Sequence, residues 1–375
     1  MESTPTTQKA LVLHARDKPM SLEQVPIPRA KAGQAVVRVL AADIVPYMNE
    51  VLTGALPYPL SLPMTPGNTA IGRVHEVGPD SVLLKPGQLV LCDITIRGRD
   101  NPHVTILFGI HGGGYPEAQK LMDGEWRNAT YAEYTTLPLE NLYRLNEDVL
   151  TNQFKYSISD LCLLPVYLVP FGGLSDGEVK PGEVVIVAPA TGRFGGGAVA
   201  VALAMGATVI AAGRNKSALE LLEKIHGHTG RLKTVVVTGD EAANAKAFKE
   251  ASPNPLGADV YIDFSPFASA GNTLLNSGVA ALRPSGRAVI MGGVSGNITL
   301  PYLDIMFRSI RIQGRFMYDR KHIIQLIQMV ESGLLKLGTH VGVTTTKEYK
   351  LETINEALSE ASKLTGWGSH VVLLP

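Results

Sequence analysis

The chain has 375 residues, of which 45% are hydrophobic, and its 34 basic residues balance its 34 acidic residues. This length is enough for two domains with sizeable cores, and the balanced charge does not indicate nucleic acid or an anionic membrane as a partner. The two cysteines, Cys92 and Cys162, exclude a disulfide framework and a multi-cysteine zinc site and favour a reducing compartment. The polar N-terminal segment has no apolar signal core, so we expect a soluble, cytoplasmic protein.

The first third of the chain predicts short β-strands separated by proline and glycine. Predicted strands are KALVLHA, QAVVRVLAADI, IGRVHEVG and GQLVLCDI, and turn signals such as KAGQ and KPGQ precede strands. This pattern is typical of a β-barrel-like module. The less regular segment 97–130 is expected to form an exposed lobe or a lid.

From about Pro181 onward, predicted strands alternate with predicted helices. The strands are GEVVIVA, TVIAAG, KTVVVTG, ADVYIDF, GRAVIMGG and IRIQGRF; the helices between them include GGGAVAVALAMG, KSALELLEKIHG, EAANAKAFKEA and AGNTLLNSGVAAL. This alternation predicts a doubly wound parallel sheet, and a long helix is expected in RKHIIQLIQMVESGLL. The longest uncharged stretch, 195–213, has the length of a membrane span, but its composition favours a helix, a turn and a buried strand.

A phosphate-binding loop is predicted between the first of these strands and its helix, in APATGRFGGGAV. Small residues let the backbone approach a pyrophosphate, and the helix N-terminus supplies amide donors and a positive dipole end. The spacing Gly192-x-x-Gly195 follows a strand and opens a helix, as a dinucleotide-binding motif requires, although Ala190 replaces the first glycine. The predicted contacts are Gly192, Arg193, Phe194 and Gly195. A glycine-rich turn without a ligand is the alternative.

The second strand ends at Gly213, about twenty residues after the loop, where an acidic residue usually binds the ribose 2′-hydroxyl of NAD. Arg214 stands there instead, and its guanidinium can pair with the 2′-phosphate of NADP. Asn215 and Lys216 are further candidate contacts. The sequence therefore predicts a preference for NADPH, with a solvated Arg214 and an N-cap role for Asn215 or Ser217 as the alternative.

These features together resemble the medium-chain dehydrogenase/reductase superfamily. The motifs that carry the resemblance are PGNTAIGRVHEVGPD, LKPGQLV, TYAEY, VKPGEVVIVAPATGRFGGGAV and SGRAVIMGG. The resemblance implies an α/β fold with a GroES-like β-barrel catalytic domain, residues 1–165 and 310–375, and an inserted Rossmann domain, residues 166–309. It also implies a homodimer, because RIQGRF is similar to the dimer-edge strand of the superfamily.

Ligands in such sheets lie outside the carboxyl ends of the strands. We therefore expect further cofactor contacts where the fourth, fifth and sixth strands end. These are Phe264, Ser265, Gly292, Gly293, Val294, Arg315 and Phe316, with the last two flanking the nicotinamide.

The resemblance also shows where zinc-dependent members keep their metal ligands. Val45 stands at the first cysteine position, Gly67-Asn68-Thr69 replaces a Gly-His-Glu motif, and Leu164 aligns roughly with the later cysteine. A catalytic zinc needs three protein ligands of the N, S or carboxylate type. We therefore expect no metal and a zinc-free branch similar to quinone oxidoreductases and enone or enoyl reductases. For His103 and His111 an exposed or structural role is expected rather than a separate metal site.

Without zinc, the negative charge that hydride transfer creates on an acceptor needs hydrogen-bond donors and a proton source. Tyr47 stands where zinc-dependent relatives keep a hydroxyl of their proton relay, and Asn68 and Thr69 are the other candidate catalytic residues. A packed aromatic ring and a hydrogen-bonded turn are the structural alternatives.

The predicted function is NADPH-dependent reduction of an activated C=C bond in a small molecule, since the enolate charge is delocalised. A carbonyl reductase or alcohol dehydrogenase of specialised (secondary) metabolism remains open, as does a redox-neutral cyclase or isomerase or an NADPH-binding interaction protein, because fold does not fix function.

Overall fold

The computed structural model describes residues 6–267 and 274–375, which divide into two compact units. The first unit extends to Leu163 and includes Thr345–Thr365 and His370–Pro375. The second unit consists of Leu164–Thr344 and Gly366–Ser369. The first predicted border, at residues 165 and 166, lies within two residues of the observed one.

The strands of the described residues are, in chain order, β1 (Thr7–Val12), β2 (Ser21–Pro26), β3 (Gln34–Asp43), β4 (Ala70–Val77), β5 (Leu89–Cys92), β6 (Thr95–Arg97), β7 (Thr105–Leu107), β8 (Tyr134–Pro138), β9 (Leu142–Arg144), β10 (Val184–Ala188), β11 (Thr208–Gly213), β12 (Leu232–Val236), β13 (Ala258–Asp263), β14 (Leu282–Ile290), β15 (Arg311–Gly314), β16 (Thr345–Tyr349) and β17 (Ser369–Leu373).

The α-helices of the same residues are α1 (Met48–Thr53), α2 (Pro116–Asp123), α3 (Ile158–Leu161), α4 (Leu164–Asp176), α5 (Arg193–Ala204), α6 (Lys216–His226), α7 (Glu241–Ala251), α8 (Leu275–Ala281), α9 (Tyr302–Phe307), α10 (Arg320–Glu331) and α11 (Ile354–Lys363). The predicted helix AGNTLLNSGVAAL is confirmed over α8, and part of it lies outside the described residues.

The first unit is built on a sheet with the order β16-β17-β3-β4-β5-β9, in which β8 also pairs with β3. Strand β3 pairs antiparallel with β17, β4 and β8, and β5 pairs antiparallel with β4 and β9. Because β3 has neighbours along its length, nearly every one of its residues is buried. The predicted strands of the first third of the chain are thus confirmed.

The second unit contains a six-stranded sheet with the order β12-β11-β10-β13-β14-β15. Its neighbouring strands all pair parallel. Counted within the unit, this is the order 3-2-1-4-5-6 of Rossmann folds, whose strand order reverses next to β10. Helices on both faces bury the central strands, so that β10, VVIVA, has no exposed residue. The predicted doubly wound sheet is confirmed.

The second predicted border, at residues 309 and 310, lies too early. Strand β15 pairs parallel with β14, so it belongs to the sheet of the second unit. Helix α10 follows it and packs against α4, and the chain rejoins the first unit only at Thr345.

The apolar helices belong to the protein core. The uncharged stretch 195–213 forms α5, a turn and β11, as predicted. The helical stretch Ile158–Asp176 has the length and hydropathy of a membrane span, but 78% of it is buried inside the protein. Such burial is typical of a core helix.

Candidate functional site

The predicted phosphate loop connects β10 to α5, and Gly192 is the N-cap residue of that helix. A Cβ atom on Gly195 would lie 2.1 Å from the Pro189 carbonyl oxygen, so only glycine lets the helix approach the strand this closely. A Cβ atom on Gly192 would have no atom within 4 Å. The first turn of α5 therefore has open space beside its free amides, which fits the pyrophosphate of a dinucleotide.

Two larger side chains complete the loop. Arg193 is the first residue of α5 and is buried, whereas Phe194 is half-buried. A cation at this end of a helix opposes the helix dipole, and an anionic ligand would offset that repulsion. The predicted cofactor contacts of both residues stay predictions.

At the end of β11, Gly213 approaches the same loop: its Cβ position would lie 2.7 Å from Thr191 Cγ2. Arg214 follows on the surface, and its guanidinium makes no hydrogen bond or ion pair with any residue in the described part of the chain. The side chain of Asn215 caps α6 by accepting a hydrogen bond from the Ala218 amide at 3.1 Å. The Nζ of Lys216 lies 3.7 Å from Oε1 of Glu220. Of the three predicted contacts, Arg214 is therefore the side chain that is available to a phosphate.

At the carboxyl ends of β13 and β14, a buried carboxylate connects the predicted cofactor residues. Asp263 accepts a hydrogen bond from the Ser265 hydroxyl at 2.7 Å, and the Gly293 amide donates to the Ser265 carbonyl at 3.0 Å. A Cβ atom on Gly292 would lie 2.5 Å from Asp263 Oδ2. Burial raises the pKa of the Asp263 carboxyl.

The sequence interpretation missed Asp263. The available signal was an acidic residue closing a fully buried strand, next to Phe264 and Ser265. Because the Ser265 hydroxyl is directed to Asp263, any contact of Ser265 with a cofactor would use its backbone. Phe264 and Val294 are half-buried beside it, and Gly293 is exposed.

Arg315 has a different environment from the one predicted. Its guanidinium lies 2.8 Å from Asp176 and 3.0 Å from Asp319, and it is largely buried. These ion pairs argue against a contact between Arg315 and the nicotinamide. The ring of Phe316 is 61% exposed, and its predicted contact stays a prediction.

The one candidate metal cluster among the described residues consists of Asp176, Asp319 and His322, and two of its members are the ion-pair partners of Arg315. The Arg315 guanidinium already compensates both carboxylates. The His322 ring accepts a hydrogen bond from the Asp319 amide at 3.1 Å through Nδ1, as part of the N-terminal cap of α10. The cluster is therefore a capping and ion-pair network.

In the first unit, the turn Gly67–Thr69 precedes β4 and is held by one hydrogen bond to Thr130 and one within the turn. The Asn68 amide donates to Thr130 Oγ1 at 2.9 Å, and the Thr69 amide donates to Asn68 Oδ1 at 2.7 Å. These bonds leave the Asn68 Nδ2 donor without an acceptor in residues 6–267 and 274–375. The Thr69 hydroxyl is likewise buried without a partner there. A buried hydroxyl of this kind is costly unless a ligand completes it.

Tyr47, the remaining predicted catalytic residue, is the half-buried N-cap residue of α1. His111 also lies near the turn, since the Gly67 amide donates to the carbonyl of Gly109 at 3.2 Å. The His111 ring is half-buried, accepts the Gly113 amide through Nδ1 and meets the Tyr58 ring edge-on at 4.4 Å. Burial lowers the pKa of His111. Because Nδ1 accepts the Gly113 amide, the neutral ring carries its proton on Nε2. The ring is thus held by a hydrogen bond and an aromatic contact, and among the described residues none accepts a hydrogen bond from Nε2.

The residues at the expected metal position do not fit a catalytic zinc. Val45 is buried and apolar, and Asn68 and Thr69 offer an amide and a hydroxyl instead of the ligands that zinc prefers. The buried thiol of Cys162 lies 3.5 Å from the carbonyl of Ala41, and burial raises the pKa of the Cys92 thiol. The predicted catalytic residues all lie in the first unit, and the predicted cofactor residues all lie in the second.

Comparisons with known proteins agree with this architecture. Residues 31–147 match the alcohol dehydrogenase GroES-like domain, and residues 194–332 match the zinc-binding dehydrogenase family, which together cover more than half of the chain. An alcohol dehydrogenase of Geobacillus stearothermophilus is 24% identical over 95% of this chain and 96% of its own. A NAD-dependent alcohol dehydrogenase of Sulfurisphaera tokodaii is 23% identical, with 97% and 99% covered.

Among solved structures, a putative zinc-binding dehydrogenase of Sinorhizobium meliloti 1021 bound to NADP superposes with a TM-score of 0.77. It is 20% identical, and the match covers 99% of this chain and 100% of that one. Both predicted domain types are thus matched in sequence as well as in topology. The chain belongs to the medium-chain dehydrogenase/reductase superfamily and is an oxidoreductase of the zinc-type alcohol dehydrogenase family.

Proposed function

We propose that this chain is a zinc-independent, NADPH-dependent oxidoreductase that reduces an activated C=C bond, such as that of an enone, a quinone or an enoyl substrate. The observation that carries the proposal is the Gly67–Thr69 turn. Where zinc-dependent relatives supply metal ligands, this chain supplies the Nδ2 donor of Asn68 and the buried hydroxyl of Thr69. Such donors suit an acceptor whose charge is delocalised.

NADPH, when bound, supplies the hydride. The first turn of α5 and the open space at Gly192 would hold its pyrophosphate, and Arg214 would pair with its 2′-phosphate. Asn68 and Thr69 would donate hydrogen bonds to the acceptor oxygen, where negative charge develops. Tyr47 would orient the substrate or deliver the proton.

Arg214 supports NADPH over NADH, because its exposed guanidinium has no partner among the described side chains and takes the place of the usual acidic residue. The NADP bound to the Sinorhizobium structure is consistent with this choice. The name of the Sulfurisphaera relative, a NAD-dependent enzyme, favours the opposite one.

The test is a titration of the purified protein and of Arg214→Ala with NADPH and NADH in parallel. We expect tighter binding of NADPH, and a loss of about tenfold or more in Arg214→Ala, since a charge-assisted hydrogen bond contributes about 1.5–3 kcal/mol. Binding of NADH should not change. Lys224→Ala removes an exposed charge from the far end of α6 and is the control. Equal effects of Arg214→Ala on both cofactors would contradict the assignment.

A second candidate is an NADP-dependent carbonyl reductase or alcohol dehydrogenase, which the names of the relatives favour. Reduction of NADP⁺ by alcohols, together with stoichiometric zinc in the purified protein, would support it. Retained activity with a redox-inert cofactor analogue would instead support a redox-neutral cyclase or isomerase. If the protein bound neither nucleotide, a role as an interaction protein would be favoured over an enzymatic one.

We also propose that the chain forms a homodimer through the outer edge of the six-stranded sheet. Strand β15 ends the strand order, so among the described strands it has a neighbour on one side only. In the same unit, α9 exposes Tyr302, Leu303, Met306 and Phe307. Apolar exposure beside an open strand edge is typical of an interface. Light scattering should give the mass of a dimer, and Phe307→Asp should give a monomer.

A further inference from the structure

A short segment near the C-terminus returns to the phosphate loop. This strap, Gly366–Ser369, is the last part of the chain to join the second unit. The Trp367 amide donates to the Thr191 carbonyl at 3.1 Å, and Gly366 forms an antiparallel bridge with Gly192. On its other side, the Gly368 carbonyl accepts a hydrogen bond from the Thr344 amide at 3.1 Å. The strap therefore contacts the loop residues that precede α5.

The side chain of Trp367 anchors the strap. Its ring lies against Gly196 in the first turn of α5, where a Cβ atom would lie 2.4 Å from the indole. The indole Nε1 donates to the Val341 carbonyl at 3.0 Å, and the Tyr167 ring meets the indole edge-on at 5.9 Å. Only 9% of Trp367 is exposed. The position of the ring is thus fixed by packing and by a hydrogen bond.

Gly192 itself is not fixed by packing, since space is open around its Cβ position. Its backbone is instead held by the bridge to Gly366, one residue before the anchored indole. A loop that is ordered before it binds a ligand does not pay that ordering cost on binding. The amides of the first turn of α5 must also point at the phosphates to donate to them.

We propose that Trp367 is a positioning residue that holds the phosphate loop in the conformation that binds the dinucleotide. The proposal rests on the proposed binding of NADPH at this loop. Trp367 is not expected to contact the substrate. Its replacement should weaken cofactor binding and leave turnover at saturating NADPH nearly unchanged.

The experiment uses the two tryptophans of the chain, Trp126 and Trp367. Trp126 lies in the first unit and is the matched control. In Trp126→Phe, Trp367 is the single tryptophan, and its emission should shift on titration with NADP⁺, which does not absorb at the emission wavelength of tryptophan. In Trp367→Phe, the emission of Trp126 should not respond.

Calorimetry then measures the affinity for NADP⁺ independently of activity. We expect Trp367→Ala to raise Kd about tenfold, Trp367→Phe to recover most of that loss, and Trp126→Phe to bind like the unmodified protein. Gly196→Ala provides a second route if Trp367→Ala does not fold, because its methyl group would displace the ring from the other side.

The proposal is overturned if both Trp367→Ala and Gly196→Ala bind NADP⁺ with the Kd of the unmodified protein. If the unmodified protein binds neither NADP⁺ nor NADPH in calorimetry, the proposed function fails, and the role of Trp367 fails with it.

Discussion

Asp263 Oδ1 lies 2.7 Å from the hydroxyl of Ser265, and both groups are buried at the carboxyl end of β13. The Ser265 amide points at the other carboxylate oxygen at 3.3 Å, and the Tyr261 hydroxyl adds a third donor at 3.2 Å. The carboxylate thus sets the backbone course of a segment that leaves the sheet where a dinucleotide is expected. Ser265 in turn accepts the Gly293 amide, so the ends of β13 and β14 are coupled.

Asp263→Asn should weaken NADPH binding about tenfold. The oxygen of an asparagine can still accept hydrogen bonds from the two hydroxyls. Its NH₂ group would then face the Ser265 amide, so that two donors would meet without an acceptor. A buried polar group left without a partner costs about 1–3 kcal/mol. Calorimetry with NADPH is the measurement.

The matched control for Asp263→Asn is Asp259→Asn, at the opposite end of the same strand. Asp259 binds the Val184 amide at 2.7 Å and pairs with Arg283, so its replacement should lower the melting temperature and leave NADPH affinity unchanged. Equal NADPH affinities for the two variants would show that Asp263 has only a structural role.

The phosphate-loop glycines allow a prediction that separates stability from binding. Gly195→Ala would place a methyl group 2.1 Å from the Pro189 carbonyl oxygen, so we expect a loss of stability of about 1–3 kcal/mol or a failure to fold. The methyl group of Gly192→Ala would have no heavy atom within 4 Å, and the extended backbone at this position is allowed for alanine. The melting temperature of this variant should therefore not change. Its methyl group would nevertheless occupy the space expected for the pyrophosphate, and NADPH affinity should fall. Normal NADPH affinity in Gly192→Ala would place the pyrophosphate elsewhere.

The sequence predicted the parts of this protein that depend on local pattern. Buried strands such as VVIVA, the amphipathic α6 and the β10–α5 loop follow from hydrophobic period and glycine spacing within a few residues. The position of Arg214 directly after β11 followed from its distance to that loop.

What the sequence did not predict depends on contacts between distant residues. Asp263 lies next to the end of β14 only because β13 pairs with that strand, and Trp367 meets Thr191 across 176 positions of the chain. The ion pair of Arg315 was not predicted for the same reason, since its partner Asp176 lies far away in the sequence.

The Gly67–Thr69 turn provides a test of catalysis without zinc. Thr69→Val removes a buried hydroxyl that has no partner in the described structure, so the melting temperature should stay the same or rise. If that hydroxyl donates to the acceptor oxygen in the transition state, kcat should fall by about 10²–10³. Asn68→Asp retains the oxygen that accepts the Thr69 amide and replaces the donor with an anion, and it should lower kcat at least as much.

Steady-state kinetics with an enone panel and NADPH measures these effects. Thr130→Val is the structural comparison, because it breaks the bonds that hold the turn and should lower stability as well as kcat. Unchanged kcat in both Thr69→Val and Asn68→Asp would rule out these donors. Tyr47 and His111 would then be the remaining candidate donors in the first unit.

The buried His226 should make the stability of the folded protein depend on pH. Burial, and to a smaller extent the neighbouring His228, lowers the pKa of His226 from 6.5 to about 4. Its Nε2 has no hydrogen-bond partner in the described part of the chain. As pH falls below 6.5, the unfolded chain takes up a proton that the folded protein does not, so stability decreases until the pH reaches about 4. The expected loss attributable to His226 is about 2 kcal/mol at pH 5 and about 3 kcal/mol at pH 4.

Urea unfolding at pH 7 and pH 5 measures this effect against His226→Leu, which cannot take up a proton. Between pH 7 and pH 5 the variant should lose less stability than the unmodified protein. His103→Gln, which replaces an exposed histidine, should follow the unmodified protein at both pH values. A parallel loss in His226→Leu would mean that His226 is protonated as readily in the folded state as in the unfolded state, and that other groups cause the acid sensitivity.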